Sequence, residues 1–341
     1  MRALPLLLAF SFALAAAPPS RAAEERWLGY AWDKVASARY RVVSREESVT
    51  VHEGKSTPST ATVETDLLLL PGPAGDKEVV LEVRFERVKI QADPQGLEAD
   101  SDATANPKGG PLAALPGVIA ATRGTPLRIA LSPGGRALRV EGMTAFLEAA
   151  RTALPEGPNR DGLLRYVVPV SDADLAERIG AIVMPLPNRA VAAGVALPVR
   201  LPVPGTAEPQ EATVTFAGVQ AVDGREALRV VRTLSAEALP PSTVTQGEQR
   251  VLVTTTRYAT ESTLLLSPAL GIPLSQVTAT TSAQSVAGAA GPGGAPVGSV
   301  VETNRTVEAT LAAHEPASAT APPAPVAPPA SAPSPPPAPL S

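Results

Sequence analysis

The segment EVVLEVRFERVKIQ, residues 78–91, alternates as a strand with one wet face must. Val79, Leu81, Val83 and Phe85 are apolar, while Glu82, Arg84 and Glu86 between them are charged. At Glu86-Arg87 the phase slips, and Val88 and Ile90 continue the apolar set on even numbers. A one-residue change of phase in an antiparallel strand is what a β-bulge produces, because the extra residue flips the side chains and bends the strand. The pattern predicts one long, bent strand with a bulge at Glu86-Arg87 and all six apolar side chains facing the core. The alternative is two shorter strands joined by a kink.

The same reading extends along the chain. Residues 27–35 place Trp27, Ala31 and Val35 on one helical face, so a helical turn or two is expected there. Strand patterns follow over 38–52 and 60–71, separated by the turn-rich EGKSTPS and GPAGD, as an antiparallel meander requires. The run Leu67 to Leu70 has no alternation, which predicts cover on both faces. A loop over 92–110 leads to a helix at 112–123 interrupted by Pro116 and Gly117. PLRIALSPGGRALRVEG reads as a hairpin turning at Pro133-Gly134-Gly135. Two helices occupy the middle. One, about 144–154, carries Phe146, Leu147, Ala150 and Leu154 on a stripe; the other, 172–183, has Ser171 as N-cap, Asp174 three residues on, and Leu175, Ile179, Ile182 and Val183 on its apolar face. Beyond them the chain returns to Val- and Thr-rich strands, with Asp223-Gly224 set as a two-residue hairpin turn. Similar short phrases (GGRALRV and DGREALRV, TVETDLLLLP and ATESTLLLSP) come in opposite orders, so tandem duplication is not indicated.

About ten strands with two or three short helices define an α+β fold, a curved antiparallel sheet, half-barrel or sandwich-like, with the helices packed on it. Composition divides the chain further. Leu4 to Ala17 is an apolar run behind Arg2, too short for a comfortable membrane span, and Ser20-Arg21-Ala22 offers a small-x-small cleavage site. The expected organisation is a signal peptide at 1–22, a single β-rich domain at 23–315, and a proline- and alanine-rich tail at 316–341 that cannot bury enough surface to order itself. No later segment has the length and apolarity of a membrane span. Arginine far exceeds lysine and alanine is abundant, as in proteins of GC-rich bacteria. The protein is therefore expected to be exported to the periplasm or cell surface.

Charge and chemistry narrow the function. A net charge of −4 without a basic stripe argues against nucleic acid. Cysteine is absent, which excludes disulfides and an N-terminal cysteine lipid anchor. The two histidines, His52 and His314, stand far apart in sequence, with no H-E-x-x-H or G-x-S-x-G pattern near either. DSDATAN, residues 100–106, begins like a calcium loop, but Thr104 and Ala105 replace the expected ligand and glycine. Asp172 and Asp174 are explained by helix capping, GAAGPGG lacks the Lys-Ser/Thr of a phosphate loop, and Asn304-Arg305-Thr306 is a sequon that carries no function in a bacterial protein.

LEVRFERVKIQADPQG running into EADSD, then LSPGGRALRVEG, MPLPNRAVAAGVAL, GVQAVDGREALRV and LLLSPALGIPLSQV in that order resemble an uncharacterised family of secreted bacterial envelope proteins, a domain of unknown function. That family commonly has a Gly followed by Asp and an aromatic where this chain has Gly194-Val195-Ala196. The resemblance brings no catalytic residue with it. At the level of fold, a curved sheet with helices on its concave face looks like the periplasmic lipoprotein-carrier and lipid-binding proteins. The expectation is an exported, non-enzymatic envelope or surface protein, structural or binding, needing no cofactor and no metal. The alternative is a carrier of lipid or another apolar ligand, held between sheet and helices, with Leu147, Leu175 and Ile179 lining the pocket. The partner is accordingly an envelope protein or an apolar ligand.

Overall fold

A computed structural model describes residues 25–73, 75, 77–94, 96–102, 111–156, 160–201, 203, 208–246, 249–287 and 298–317. The expected signal peptide, the glycine-rich stretch from 288 and most of the tail lie outside them.

The chain forms two meanders joined by its ends. The first comprises β2 (Val35–His52), β3 (Lys55–Pro71), β4 (Val79–Asp93), β5 (Leu97–Asp100), β6 (Leu127–Leu131) and β7 (Ala137–Glu141). The second comprises β9 (Ala196–Leu201), β10 (Gln210–Val222), β11 (Arg225–Glu237), β12 (Ser242–Gln246), β13 (Gln249–Leu266), β14 (Pro273–Ala287) and β15 (Gly298–Pro316). All belong to one curved antiparallel sheet of 13 strands, in the order β7-β6-β4-β3-β2-β15-β14-β13-β11-β10-β9, with β5 beside β4 and β12 beside β13. The sheet is open, with β7 and β9 at its two ends. Its middle seam is β2 against β15, the first long strand against the last, in register from Ser299 opposite His52 to Pro316 opposite Val35.

To pass from β7 to β9 the chain must cross the whole sheet. It does so through α2 (Met143–Thr152), α3 (Arg160–Val167) and α4 (Asp172–Gly180), and then β8 (Arg189–Val191), which pairs with β1 (Arg26–Leu28) in a separate two-stranded ribbon. With α1 (Leu115–Arg123), these elements supply the inner layer. A large apolar cluster joins inner-face residues of β2, β3, β4 and β6 to Val118, Ile119, Phe146, Leu164, Leu175 and Ile179 of the helices. A second cluster joins Leu28, Met184, Leu186 and Val191 to Val214, Phe216, Val230 and Leu264.

The phase slip in β4 is a bulge. Leu67 pairs with Phe85 and Asp66 with Arg87, so Glu86 is the extra residue. Val79, Leu81, Val83, Phe85, Val88 and Ile90 are all buried. The two charges at the bulge have partners outside the core. Glu86 accepts from Arg39 Nη2 at 3.1 Å, its carbonyl accepts from Arg123 Nη2 at 2.7 Å, and Arg87 grips both carboxylate oxygens of Asp100. Asp100 is held below the usual carboxylate range, first by that hydrogen bond from Arg87.

The curved antiparallel sheet with a few helices is as expected, with fifteen strands and four α-helices among the described residues; β5, β8, β9 and β12 are short, and α3 follows a Gly/Pro-rich stretch. Other expectations need correction. No helix opens the domain: Trp27 lies in β1, and Trp32–Lys34 is a single 3₁₀ turn before β2. Pairing to β8 overrides the helical spacing of Trp27, Ala31 and Val35. Of the run Leu67 to Leu70 only Leu67 and Leu69 are buried, whereas Leu68 and Leu70 are half-buried on the outer face. There Leu68 lies between Arg39 and Arg84 on the neighbouring strands, whose aliphatic stems can shield it without a second layer. β15 runs through Pro316, and Ala317 N–H donates to Lys34 O at 3.1 Å.

The turns and caps follow the expected chemistry. Asp223 and Gly224 both have positive φ, 49° and 74°, as the tight hairpin between β10 and β11 demands. Ser171 Oγ accepts from Asp174 N–H at 3.1 Å, while the Asp174 carboxylate accepts from Val170 N–H at 2.9 Å and from Arg178 Nε at 3.1 Å. Ser171→Ala is expected to cost about 1 kcal/mol through loss of the cap. A downward shift of the urea midpoint with an unchanged slope would show it; an unchanged midpoint would mean that Asp174 alone fixes the helix start.

Candidate functional site

The inner face of the sheet changes character along its strands. At one end it is dry: Ala38, Tyr40, Leu67 and Leu69 lie under the helices, and Tyr40 Oη reaches Pro273 O at 2.8 Å. Alternation then carries the same face of β2 and its neighbours outward through Ser44, Ser48, Thr280, Ser282, Thr303 and Arg305, all half-buried. Ser48 and Ser59 pair across the ladder at 2.7 Å, and Thr280 Oγ1 donates to Thr260 Oγ1 at 3.3 Å. So the helices cover one part of the concave face, and on the half-buried remainder serine and threonine hydroxyls stand beside Glu46, Gln284, Arg305, Val301 and Val307. The two parts meet near α4, where Arg305 Nη1 binds Glu177 at 2.8 Å and Gln276 Nε2 donates to Gly180 O at 2.8 Å.

The three residues expected to line a pocket do not share one environment. Leu175 and Ile179 are fully buried in the main apolar cluster. Leu147 is half-buried on α2 and is not among the residues packed against that cluster. The inner-face hydroxyls and Arg232, next to them on β11, carry no mark in the sequence that singles them out. Their signal is the Ser/Thr alternation in β13 and β14, which reads as ordinary strand propensity until the register shows which strands adjoin.

Other candidates disperse. His52 lies opposite Ser299 and His314 opposite Ala38, at the two ends of the β2–β15 seam, roughly 50 Å apart at the rise of an extended strand. Of the calcium-like stretch, Asp100 is committed to Arg87, and residues 103–106 lie outside the described residues. Among the described residues no group of His, Cys, Asp and Glu is arranged to hold a metal ion. Asn304 sits within β15, paired opposite Glu47 and Thr281. No helix of the described residues is long and apolar enough to cross a membrane. On the outer face, Thr213, Thr233, Ser235, Glu261, Ala279 and Thr281 line a wide, shallow hollow of about 560 Å³.

No protein-family model matches the chain, and no curated protein matches it. Among solved structures it is similar to a DUF1329 family protein from Desulfovibrio piger, with 9% identity over 82% of this chain and 87% of that one, at a TM-score of 0.15. It is also similar to an outer membrane lipoprotein-sorting protein domain from Vibrio parahaemolyticus, with 7% identity over 81% of this chain and 85% of that one, at a TM-score of 0.14. Scores this low establish no shared fold, and neither likeness bears on function. The architecture on its own defines the class: an open, curved antiparallel sheet with helices on part of its concave face.

Proposed function

We propose that the protein is an exported, non-enzymatic binding protein of the bacterial envelope that works through the concave face of its sheet. The observation that carries this reading is the division of that face: helices seal one part as core, while the rest, lined by Ser44, Ser48, Thr280 and Thr303, stays reachable from water. A rigid sheet presenting short hydroxyls suits recognition. The export signal read from the first 22 residues supports recognition outside the cytoplasm.

A second form of the proposal is a carrier for a lipid or another apolar ligand held between helices and sheet at Leu147, Leu175 and Ile179. Leu147 favours it, as a leucine on α2 left half-exposed beside a well-packed core. A ligand would enter there by displacing α2, and Leu175 and Ile179 would line the space opened. Native mass spectrometry of protein purified from its host envelope separates the two forms. A bound lipid that disappears in Leu147→Glu, a change tolerated at a half-exposed position, is the result expected of a carrier. Ligand-free protein in which Leu147→Glu changes neither mass nor partners would leave recognition by the sheet. A hydrolase or redox activity that survives purification to homogeneity would defeat both.

A further inference from the structure

Arg232 projects from the inner face of β11 between two apolar groups. Val230, on one side, packs with Val214 and Leu264; Leu234, on the other, packs with Ala212 and Leu239. Nη2 of Arg232 donates to Ser262 Oγ at 3.0 Å. Its Nε is buried without a hydrogen-bond partner among the described residues. No described carboxylate lies within ion-pair distance of it. The titratable groups that act on it are the phenols of Tyr258 and Tyr30, and burial keeps both protonated. Glu177, the carboxylate whose charge is felt at Tyr258, is already bound by Arg305. Desolvation pushes the Arg232 guanidinium down from its ordinary value, yet an arginine keeps its charge across the physiological range.

A largely buried cation without an anion is costly, and an aliphatic residue would pack between two apolar groups at no such cost. The hydroxyls beside it are oriented to help an acceptor. Ser262 Oγ accepts from both Arg232 Nη2 and Thr278 Oγ1, each at 3.0 Å, which leaves its own proton for a third partner. We propose that Arg232 anchors a binding site for an oxyanion of carboxylate or phosphate type on the inner face of the sheet, with the Ser262 hydroxyl as a second donor. The planar guanidinium fork suits such an acceptor, and a charge-assisted bond at a site shielded from water is stronger than one at the surface. The site is distinct from the region of Leu147, Leu175 and Ile179 and does not depend on the carrier reading.

The test is calorimetric titration of the full-length protein with sodium acetate, inorganic phosphate, lauric acid and lysophosphatidic acid, with dodecanol as uncharged control. At least one oxyanion probe is expected to bind, and Arg232→Met to weaken it roughly tenfold to a hundredfold, the loss typical of a hydrogen bond to a charged group. Without any probe, Arg232→Met should melt at or above the wild-type midpoint, because an unpaired buried charge has gone. Arg232→Lys should keep the charge and bind more weakly. Equal affinity for acetate or phosphate and for the acylated probes identifies a small free anion; tighter binding of the acylated probes, with dodecanol inert, identifies a lipid head group. The proposal is overturned if no oxyanion binds, if binding is the same in Arg232→Met, or if that variant melts well below wild type with unchanged binding, as a structural arginine would. Should Arg232→Met fail to fold, Arg232→Gln titrated in the same way decides between these outcomes.

Discussion

Deleting Glu86 and Arg87 together is expected to abolish folding, whereas deleting Glu86 alone should leave a folded protein. Phe85 faces the core, Glu86 and Arg87 form the bulge, and Val88 faces the core again. Removing Glu86 turns this into plain alternation and matches β4 to β3 residue for residue, since β3 has no counterpart to Glu86. What is lost is the bend, the ion pair to Arg39 and the Arg123 bond to the Glu86 carbonyl, roughly 1–3 kcal/mol together. Removing both residues sets Val88 directly after Phe85. Val88 and Ile90 then turn outward, and Lys89 and Gln91 replace them in the core. Burying an unpaired lysine there costs several kcal/mol, on top of two lost aliphatic side chains at about 1.5–3 kcal/mol each. Against a total stability of about 5–15 kcal/mol this is decisive. Soluble yield and far-ultraviolet circular dichroism of the two deletions decide it. Similar behaviour of both would mean that β4 is held by its register alone and not by the faces of its side chains.

That bulge was legible because its cause is local. Two charged residues interrupt a period-2 pattern, and only an extra residue keeps both halves facing one way. The Asp223-Gly224 turn and the Ser171 cap were legible for the same reason, each being specified within four residues. The seam between β2 and β15 was not. Val42 and Ala309 pair across more than 260 positions of chain, and nothing in either strand's alternation names the other. Without that seam the inner-face hydroxyls of β2 and β14 cannot be placed on one surface, so the open part of the concave face stayed hidden. Arg232 was invisible in a stronger sense. In LRVVRTL it looks like any polar residue of a half-wet strand, and its place between Val230 and Leu234 on the inner face depends on strands and loops from both halves of the chain. Leu147 shares a stripe with Phe146, Ala150 and Leu154 in sequence, yet those three reach the core with Leu175 and Ile179 of α4 while Leu147 stays half-buried at the edge of the same helix.

Gly135→Val is expected to destabilise the protein by roughly 2–5 kcal/mol, summing left-handed strain and overpacking. Gly135 ends the turn between β6 and β7 with φ of 86°, a conformation that a β-branched residue adopts only at high cost. Gly135 N–H closes the turn on Ser132 O at 2.8 Å, and Ser132 N–H bonds Arg136 O at 2.8 Å, so the backbone cannot easily relax. A Cβ would overlap the Tyr30 ring and come within 2.7 Å of Val183 Cγ1. Neither can retreat freely. Tyr30 packs against both apolar clusters, its Oη donates to Met184 O at 2.7 Å, and its backbone N–H donates to Pro133 O at 3.3 Å. The same turn holds the crossing segment through Leu186 N–H and Gly134 O at 2.7 Å. The clash therefore strikes where the two clusters are tied together, and both should loosen in one transition. Urea unfolding of Gly135→Val, Tyr30→Ala and the double variant separates the two costs. Removing the ring should relieve the overlap but not the backbone strain, so the double variant should be more stable than the sum of the single losses. Strict additivity would show that Tyr30 is not the obstacle and that the whole cost lies in the conformation of residue 135.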